Sequence, residues 1–220
     1  MNSHEFVAGL VDEMDGLFAQ LADRQTLEAE AEGGEVTVVA LLKLALKSEL
    51  EASEIAALWL PSTPEIDAKI ALSLQCSDEM KHYGLITDRL GELGEDLAGF
   101  DPFDQGHSPL YQYLRSLRTT VERIAAGPFA SEAIAKVRNA QFVDFCRATG
   151  DEATAELYDR IIQPEEAHHH DLGREILEKY ATTSELQEKA AAATRNTLAI
   201  ADELRDLAAK TTGIHSIPVS

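Results

Sequence analysis

The prediction of the fold rests on residues 65–97, EIDAKIALSLQCSDEMKHYGLITDRLGELGEDL. Apolar residues recur in this stretch at intervals of three and four, as expected for one buried face of an α-helix. They are Leu72, Cys76, Tyr83, Ile86, Leu90, Leu93 and Leu97. Glu79 falls in the middle of this face, and His82 lies one turn further on, at its edge. A solubilising acid would lie on the opposite face, so we predict that both side chains point into the protein.

A second stretch, residues 151–180, shows the same combination. Its apolar face is formed by Leu157, Ile161, Ile162, Leu172, Ile176 and Tyr180. Glu165 lies near the centre of that face, and His168 and His169 lie on either side of it. Because residues three apart share a helix face, we predict Glu165 with His168 as the inward pair, and His169 as the second choice.

A third acid is expected on the helix at 36–60. The expected solvent face of that helix carries Lys43, Lys47, Glu51 and Glu54. Glu49 belongs to the opposite, apolar face. Unpaired ionised carboxylates are costly in a protein core, by several kcal/mol each. Two metal ions held by carboxylates and imidazoles would compensate for that cost. A salt-bridged or neutral polar network is the alternative.

The rest of the chain also predicts helices, since β-branched residues cluster only near Val36. Glycine, proline and threonine clusters separate seven helical segments. These are expected near 4–30, 36–60, 65–97, 109–126, 128–148, 151–180 and 184–211. The layout predicts an all-α four-helix bundle made of two helical hairpins, 36–97 and 128–180, joined by a long crossover that carries one extra helix. Helices 4–30 and 184–211 would flank it within a single domain, 1–220, whose bundle core is about 36–180.

The composition of the chain limits the classes of partner and of metal site that it can have. The chain has 19 Lys and Arg and 39 Asp and Glu. The resulting formal net charge of -20 argues against nucleic acid and anionic membranes as partners. The chain shows no long apolar run and no basic start typical of a signal peptide. Two cysteines in separate helical patterns are too few for a cysteine-based metal site within one chain. We expect a cytoplasmic protein.

The segments SDEMKHYG (77–84) and PEEAHHHDLG (164–173), the latter preceded by GDEATAELYDRII (150–162), resemble the two metal-binding helices of the ferritin-like superfamily. That superfamily includes rubrerythrin-type proteins and bacterial di-iron monooxygenases, and the resemblance covers about residues 36–180. It implies a ferritin-like bundle in which Glu49, Glu79 and His82 form one iron half-site, and Glu165 with His168 the other.

The resemblance also implies a carboxylate on the third bundle helix. The polar residue in the apolar face of that helix is Gln141, whereas Glu132 points away from the face, so Gln141, Glu132 and no ligand at all stay open.

The expected function is a di-iron oxidase or oxygenase that activates dioxygen on a small organic substrate with an external electron donor. Manganese is the alternative metal. Two other functions remain: a non-catalytic bundle that serves as a partner subunit, and a protein of iron oxidation and storage. A homodimer is the default assembly.

Overall fold

The computed structural model describes residues 1–22 and 36–212, and within these ranges all regular structure is helical. The predicted all-α class is therefore confirmed. The helices in chain order are α1 (Ser3–Ala22), α2 (Val38–Trp59), α3 (Ile66–Glu92), α4 (Pro109–Ser116), α5 (Thr120–Ile124), α6 (Glu132–Ala148), α7 (Glu152–Leu157), α8 (Gln163–Tyr180) and α9 (Ser184–Thr212). Of the helix predicted at 4–30, residues 23–30 lie outside the described ranges.

The first pair of long helices is α2 and α3, which pack against each other along their length. Helix α2 begins at Thr37, whose Oγ1 accepts a hydrogen bond of 3.1 Å from the backbone N–H of Ala40. A short 3₁₀ turn, Leu60–Ser62, ends it at a proline, and the Thr63 hydroxyl donates to the carbonyl oxygen of Trp59 at 2.9 Å. This compact turn brings the start of α3 directly back onto α2.

The connection from α3 to α5 carries the expected extra helix, α4. It is tied to α2 by Glu51, whose carboxylate accepts hydrogen bonds from the backbone N–H of Ser108 at 2.7 Å and from its hydroxyl at 2.5 Å. Lys47 adds a bond from its ammonium group to the carbonyl oxygen of Gly106 at 2.6 Å. The crossover is therefore anchored beside the helix that carries Glu49.

The helix break predicted at Gly127 and Pro128 is wrong. The helix instead continues from α5 through a π-helical segment, Ala125–Ser131, into α6. The helical structure is interrupted earlier, between Ser116 and Thr120. A wide π turn accommodates a proline, which lacks the N–H that an α turn would use. The Ser131 hydroxyl donates to the carbonyl oxygen of Ala126 at 2.9 Å, which satisfies one of the acceptors in this turn.

A second π-helical segment, Tyr158–Ile162, joins α7 to α8, and α8 packs on α3, α6 and the first π-helical segment. Helix α1 lies against α8 and α9, and α9 also covers α5 and the first π-helical segment. The helices that carry the predicted site residues are thus enclosed by other helices on several sides.

The apolar core consists of two clusters. One includes Trp59, Leu72 and Phe129, and the other includes Leu46 and Ile86. Along α2 and α3, buried acids separate the residues of one cluster from those of the other. A polar layer therefore crosses the interior between two apolar ones.

Within residues 1–22 and 36–212, no helix combines the length and the apolar character that crossing a lipid bilayer requires.

Candidate metal centre

Helices α2 and α3 bring Glu49, Glu79 and His82 together in the polar layer, as the helical pattern indicates. All three are buried, with exposed fractions of 2%, 0% and 0%. The Nδ1 atom of His82 lies 3.4 Å from a carboxylate oxygen of Glu49 and 3.3 Å from one of Glu79. Neighbouring helices therefore place two acids around one imidazole nitrogen.

Helix α8 contributes Glu166 and His169 to this layer, whereas Glu165 and His168, the predicted pair, lie outside it. Glu166 is fully buried, and one of its carboxylate oxygens lies 3.4 Å from the Nδ1 atom of His82. His169 is 1% exposed, and its Nδ1 atom lies 3.6 Å from a Glu79 oxygen. His168 is exposed to solvent. The glutamate and the histidine are three residues apart, as predicted, but each lies one position further along the chain than predicted.

The displacement has two physical causes. The π turn at Tyr158–Ile162 offsets the residues before it from those after it, so a uniform step of about 100° per residue does not describe the whole helix. In addition, the position that faces the core after this turn is Gly173, which is buried, rather than its larger neighbour Leu172. Weighting the large apolar side chains alone therefore places the centre of the face too close to Glu165.

The third carboxylate-bearing helix is α6, and its ligand candidate is Glu132. This side chain is fully buried, and the Nε2 atom of Gln75 donates a hydrogen bond to one of its oxygens. Gln141, the other candidate on this helix, is only half-buried. Glu132 follows the π-helical segment immediately, and a Gly-Pro pair inside a continuous helix is the one sequence signal that could have indicated the altered register.

The six side chains form two overlapping groups. Ligand atoms of Glu49, Glu79, His82 and Glu166 lie within 4.8 Å of one another, and the same holds for Glu79, Glu132, Glu166 and His169. Glu79 and Glu166 belong to both groups. The arrangement therefore has two shared carboxylates at its centre and one carboxylate with one imidazole on each side.

The cluster concentrates negative charge away from water. Burial raises the pKa of Glu49 and of Glu132 well above 4.5, and burial together with the charge of Glu166 raises the pKa of Glu79. Burial also acts to raise the pKa of Glu166, but the neighbouring carboxyl group of Glu132 and the imidazole of His82 outweigh it and hold this pKa below 4.5. Burial acts to lower the pKa of His82, but the carboxyl groups of Glu166, Glu49 and Glu79 outweigh it and raise this pKa, so the imidazolium supplies one positive charge. Without a further positive charge, some of the carboxyl groups retain their protons.

Several buried atoms of the cluster lack a hydrogen-bond partner, which tests whether a metal ion would suit the site. These atoms are Glu49 Oε2, Glu79 Oε1, Glu132 Oε2, both carboxylate oxygens of Glu166 and His169 Nδ1. Buried polar groups are almost always satisfied in folded proteins. All six atoms are of the kind that ligates divalent iron or manganese, so the donor set fits a metal.

The outward nitrogens of the two histidines are held by acids of the opposite helix. The Nε2 atom of His82 lies 2.8 Å from a Glu165 oxygen, and the Nε2 atom of His169 lies 3.1 Å from an Asp78 oxygen. Glu165 also pairs with Lys81. With a metal ion in the cluster, each imidazole could donate its Nε2 proton outward and present Nδ1 to the ion, which is how histidine ligands of metals are normally oriented.

The third histidine of the run, His170, forms a hydrogen bond with the backbone instead. Its Nδ1 atom donates to the carbonyl oxygen of Phe129 at 2.7 Å, and its ring stacks on that of Phe129. Burial lowers the pKa of His170, which favours the neutral ring. The three consecutive histidines of α8 therefore face solvent, the cluster and the π-helical segment, respectively.

The fold and the site define an all-helical protein with a buried carboxylate–histidine cluster that is compatible with a metal site. Comparison with models of protein families, with curated proteins and with solved structures found no match to this chain.

Proposed function

We propose that this chain is a ferritin-like protein that binds two iron ions and uses them to activate dioxygen for the oxidation of a small organic substrate. The observation that carries the proposal is the set of unpartnered donor atoms on Glu49, Glu79, Glu132, Glu166 and His169. Di-iron and di-manganese carboxylate bundles use one glutamate from each of two helices and a Glu-x-x-His unit from each of two others. The cluster has this composition.

The roles of the residues follow from their positions. Glu79 and Glu166, which belong to both groups, would help to hold both ions, whereas Glu49 with His82 would hold one ion and Glu132 with His169 the other. Bound iron would supply the one-electron chemistry that dioxygen reduction requires, with electrons from an external donor. Iron is preferred to manganese for this reaction class, although the donor set suits both ions.

Tyr158 is a buried hydrogen-bond donor beside the cluster. Its side chain is fully buried, and its hydroxyl has no hydrogen-bond partner. Burial and the charges of Glu49 and Glu166 raise its pKa well above 10.0, so the phenol stays protonated. It can therefore donate a hydrogen bond to an acceptor that enters the polar layer, while the surrounding apolar clusters exclude bulk water.

The position of Glu132 bears on the alternatives. The apparent lack of an acid on the third helix would favour a non-catalytic partner subunit, and the buried Glu132 removes that support. Iron storage would require an assembly of many chains around a mineral, which measurement of the particle mass would reveal.

The test is the metal content per chain after anaerobic loading with ferrous iron, measured by mass spectrometry on untagged protein. We expect about two ions in the wild type. Glu79→Ala should lose both, because Glu79 belongs to both groups. Glu175→Ala is the matched control, since it removes an exposed glutamate from α8.

Dioxygen consumption by the loaded protein with a chemical reductant then distinguishes an oxidase or oxygenase from a protein that only holds iron. A wild type that retains no metal after loading would refute the proposal.

A further inference from the structure

A cleft of about 470 Å³ opens at the end of the helices where α2 passes into the turn to α3 and where the segment between α4 and α5 lies against it. It is distinct from the metal centre, since none of the six cluster residues lines it. Its lining includes Trp59, Ser62, Gln112, Arg115, Arg118 and Arg123. Three arginines thus face one small space on a chain with a formal net charge of -20.

The three arginines are unusual in this protein because none forms an ion pair with a carboxylate among residues 1–22 and 36–212. Acids outnumber Lys and Arg about two to one in the chain, at 39 against 19. Five other arginines do pair with acids: Arg89, Arg147, Arg160, Arg174 and Arg195. Positive charge is therefore gathered in the cleft without the direct ion pairs that the other five arginines form.

Arg123 is the arginine of the cleft whose position is fixed by burial and hydrogen bonds. It is only 6% exposed, and its guanidinium donates to the hydroxyl oxygen of Thr63 at 3.2 Å and to the carbonyl oxygen of Leu117 at 3.4 Å. Both acceptors are neutral, and a guanidinium has five N–H donors, so donors remain available. Burial and the charge of Arg118 lower the pKa of Arg123, as expected for cations held close together.

Three other residues with hydrogen-bond donors line the cleft together with Arg123. Arg115 and Arg118 are exposed, so their side chains are free to move towards a ligand. Trp59 is 2% exposed, and its indole N–H has no acceptor. An anion with several oxygens would accept hydrogen bonds from the guanidinium groups that line the cleft.

We propose that this cleft binds the phosphate group of a small molecule, either inorganic phosphate or a phosphoester. Guanidinium groups match phosphate oxygens in paired hydrogen bonds, and a compact dianion offers acceptors to more than one arginine at once. The volume suits a small molecule. A long polyanion such as nucleic acid is disfavoured, because the acidic surface beyond the cleft repels it.

The protein carries its own reporter for this site, since Trp59 is its single tryptophan and lines the cleft. We expect intrinsic fluorescence to change with saturation on titration with inorganic phosphate, pyrophosphate or glycerol 3-phosphate, at constant ionic strength. Stronger binding of inorganic phosphate than of glycerol 3-phosphate indicates the free anion as ligand, and the reverse order indicates a phosphoester. ³¹P line broadening, measured in parallel, detects binding that leaves the fluorescence unchanged.

Variants decide whether the cleft is the binding site. Arg115→Gln and Arg118→Gln change exposed side chains, so they should fold, and each should weaken binding by about tenfold. Arg160→Gln is the matched control, because it removes the same charge from an exposed arginine on the π segment Tyr158–Ile162. Equal weakening by all three variants, or no saturable binding of any of the three probes by either method, would overturn the proposal. Binding of citrate that exceeds binding of every phosphate compound would overturn it as well.

Discussion

Helix α8 approaches the π-helical segment so closely at Gly173 that an added methyl group has no room. A Cβ atom there would lie 2.9 Å from the backbone N of Phe129, 2.9 Å from the backbone C of Pro128 and 3.1 Å from its Cβ. None of these atoms belongs to the end of a flexible side chain, so the helices themselves must separate. We therefore expect Gly173→Ala to destabilise the protein although alanine is the better helix former.

The expected size follows from two opposed effects. Overpacking of a close contact costs about 1–3 kcal/mol, and replacing glycine by alanine inside a helix returns about 1 kcal/mol. With backbone atoms on the opposite side, we expect the upper part of the first range and a net loss of about 1–2 kcal/mol. For a chain of this length that corresponds to a melting temperature lower by about 2–8 °C.

Urea unfolding followed by far-ultraviolet circular dichroism measures this loss. Gly84→Ala is the matched control, because Gly84 lies in α3 and a methyl group added there would have no neighbouring atom within 4 Å. It should gain about 0.5–1 kcal/mol from helix propensity alone. If Gly173→Ala proved as stable as Gly84→Ala, the close approach of α8 to the π-helical segment would be refuted, and with it the physical reason given for the register of Glu166.

Three further predictions concern the cluster. Glu132→Gln should raise the free energy of unfolding of the metal-free protein by about 1–3 kcal/mol, because the folded state no longer has to keep a proton on a carboxyl group whose pKa is raised by burial. It should also lower the metal content, so calorimetry and metal analysis must show changes of opposite sign. His169→Ala should lose metal while His168→Ala retains it, and equal metal contents would contradict the observed register. The metal-free protein should lose stability as pH rises above 4.5, because the raised pKa values of Glu49 and Glu79 let the folded state keep protons that the unfolded chain releases. Denaturation at pH 5.5 and 7.5 should show that the free energy of unfolding falls more in the wild type than in Glu79→Gln.

Local patterns were sufficient to predict the helical class and three members of the cluster. Glu49, Glu79 and His82 each lie on an apolar face of a helix that runs without interruption through the site, so counting residues at about 100° per step gives their direction correctly. Burial of these side chains follows from that direction once the apolar face is packed.

The same counting fails where the helix is not uniform. Both segments that precede the remaining cluster residues are π-helical, Ala125–Ser131 before Glu132 and Tyr158–Ile162 before Glu166. A wide turn satisfies its hydrogen bonds differently from an α turn, and short stretches of sequence do not distinguish the two. The prediction of Glu165 with His168, and the failure to choose Glu132 over Gln141, both arise from this cause.

Residue spacing within single helices was enough to establish that the chain is helical, that acids and histidines lie three residues apart on two helices, and that some of these acids face an apolar interior. Which acids meet was set by the packing of the helices, because a cluster built from α2, α3, α6 and α8 depends on the relative rotation and height of separate elements. Contacts such as that of Gly173 with the π-helical segment set that rotation, and they join residues far apart in the chain.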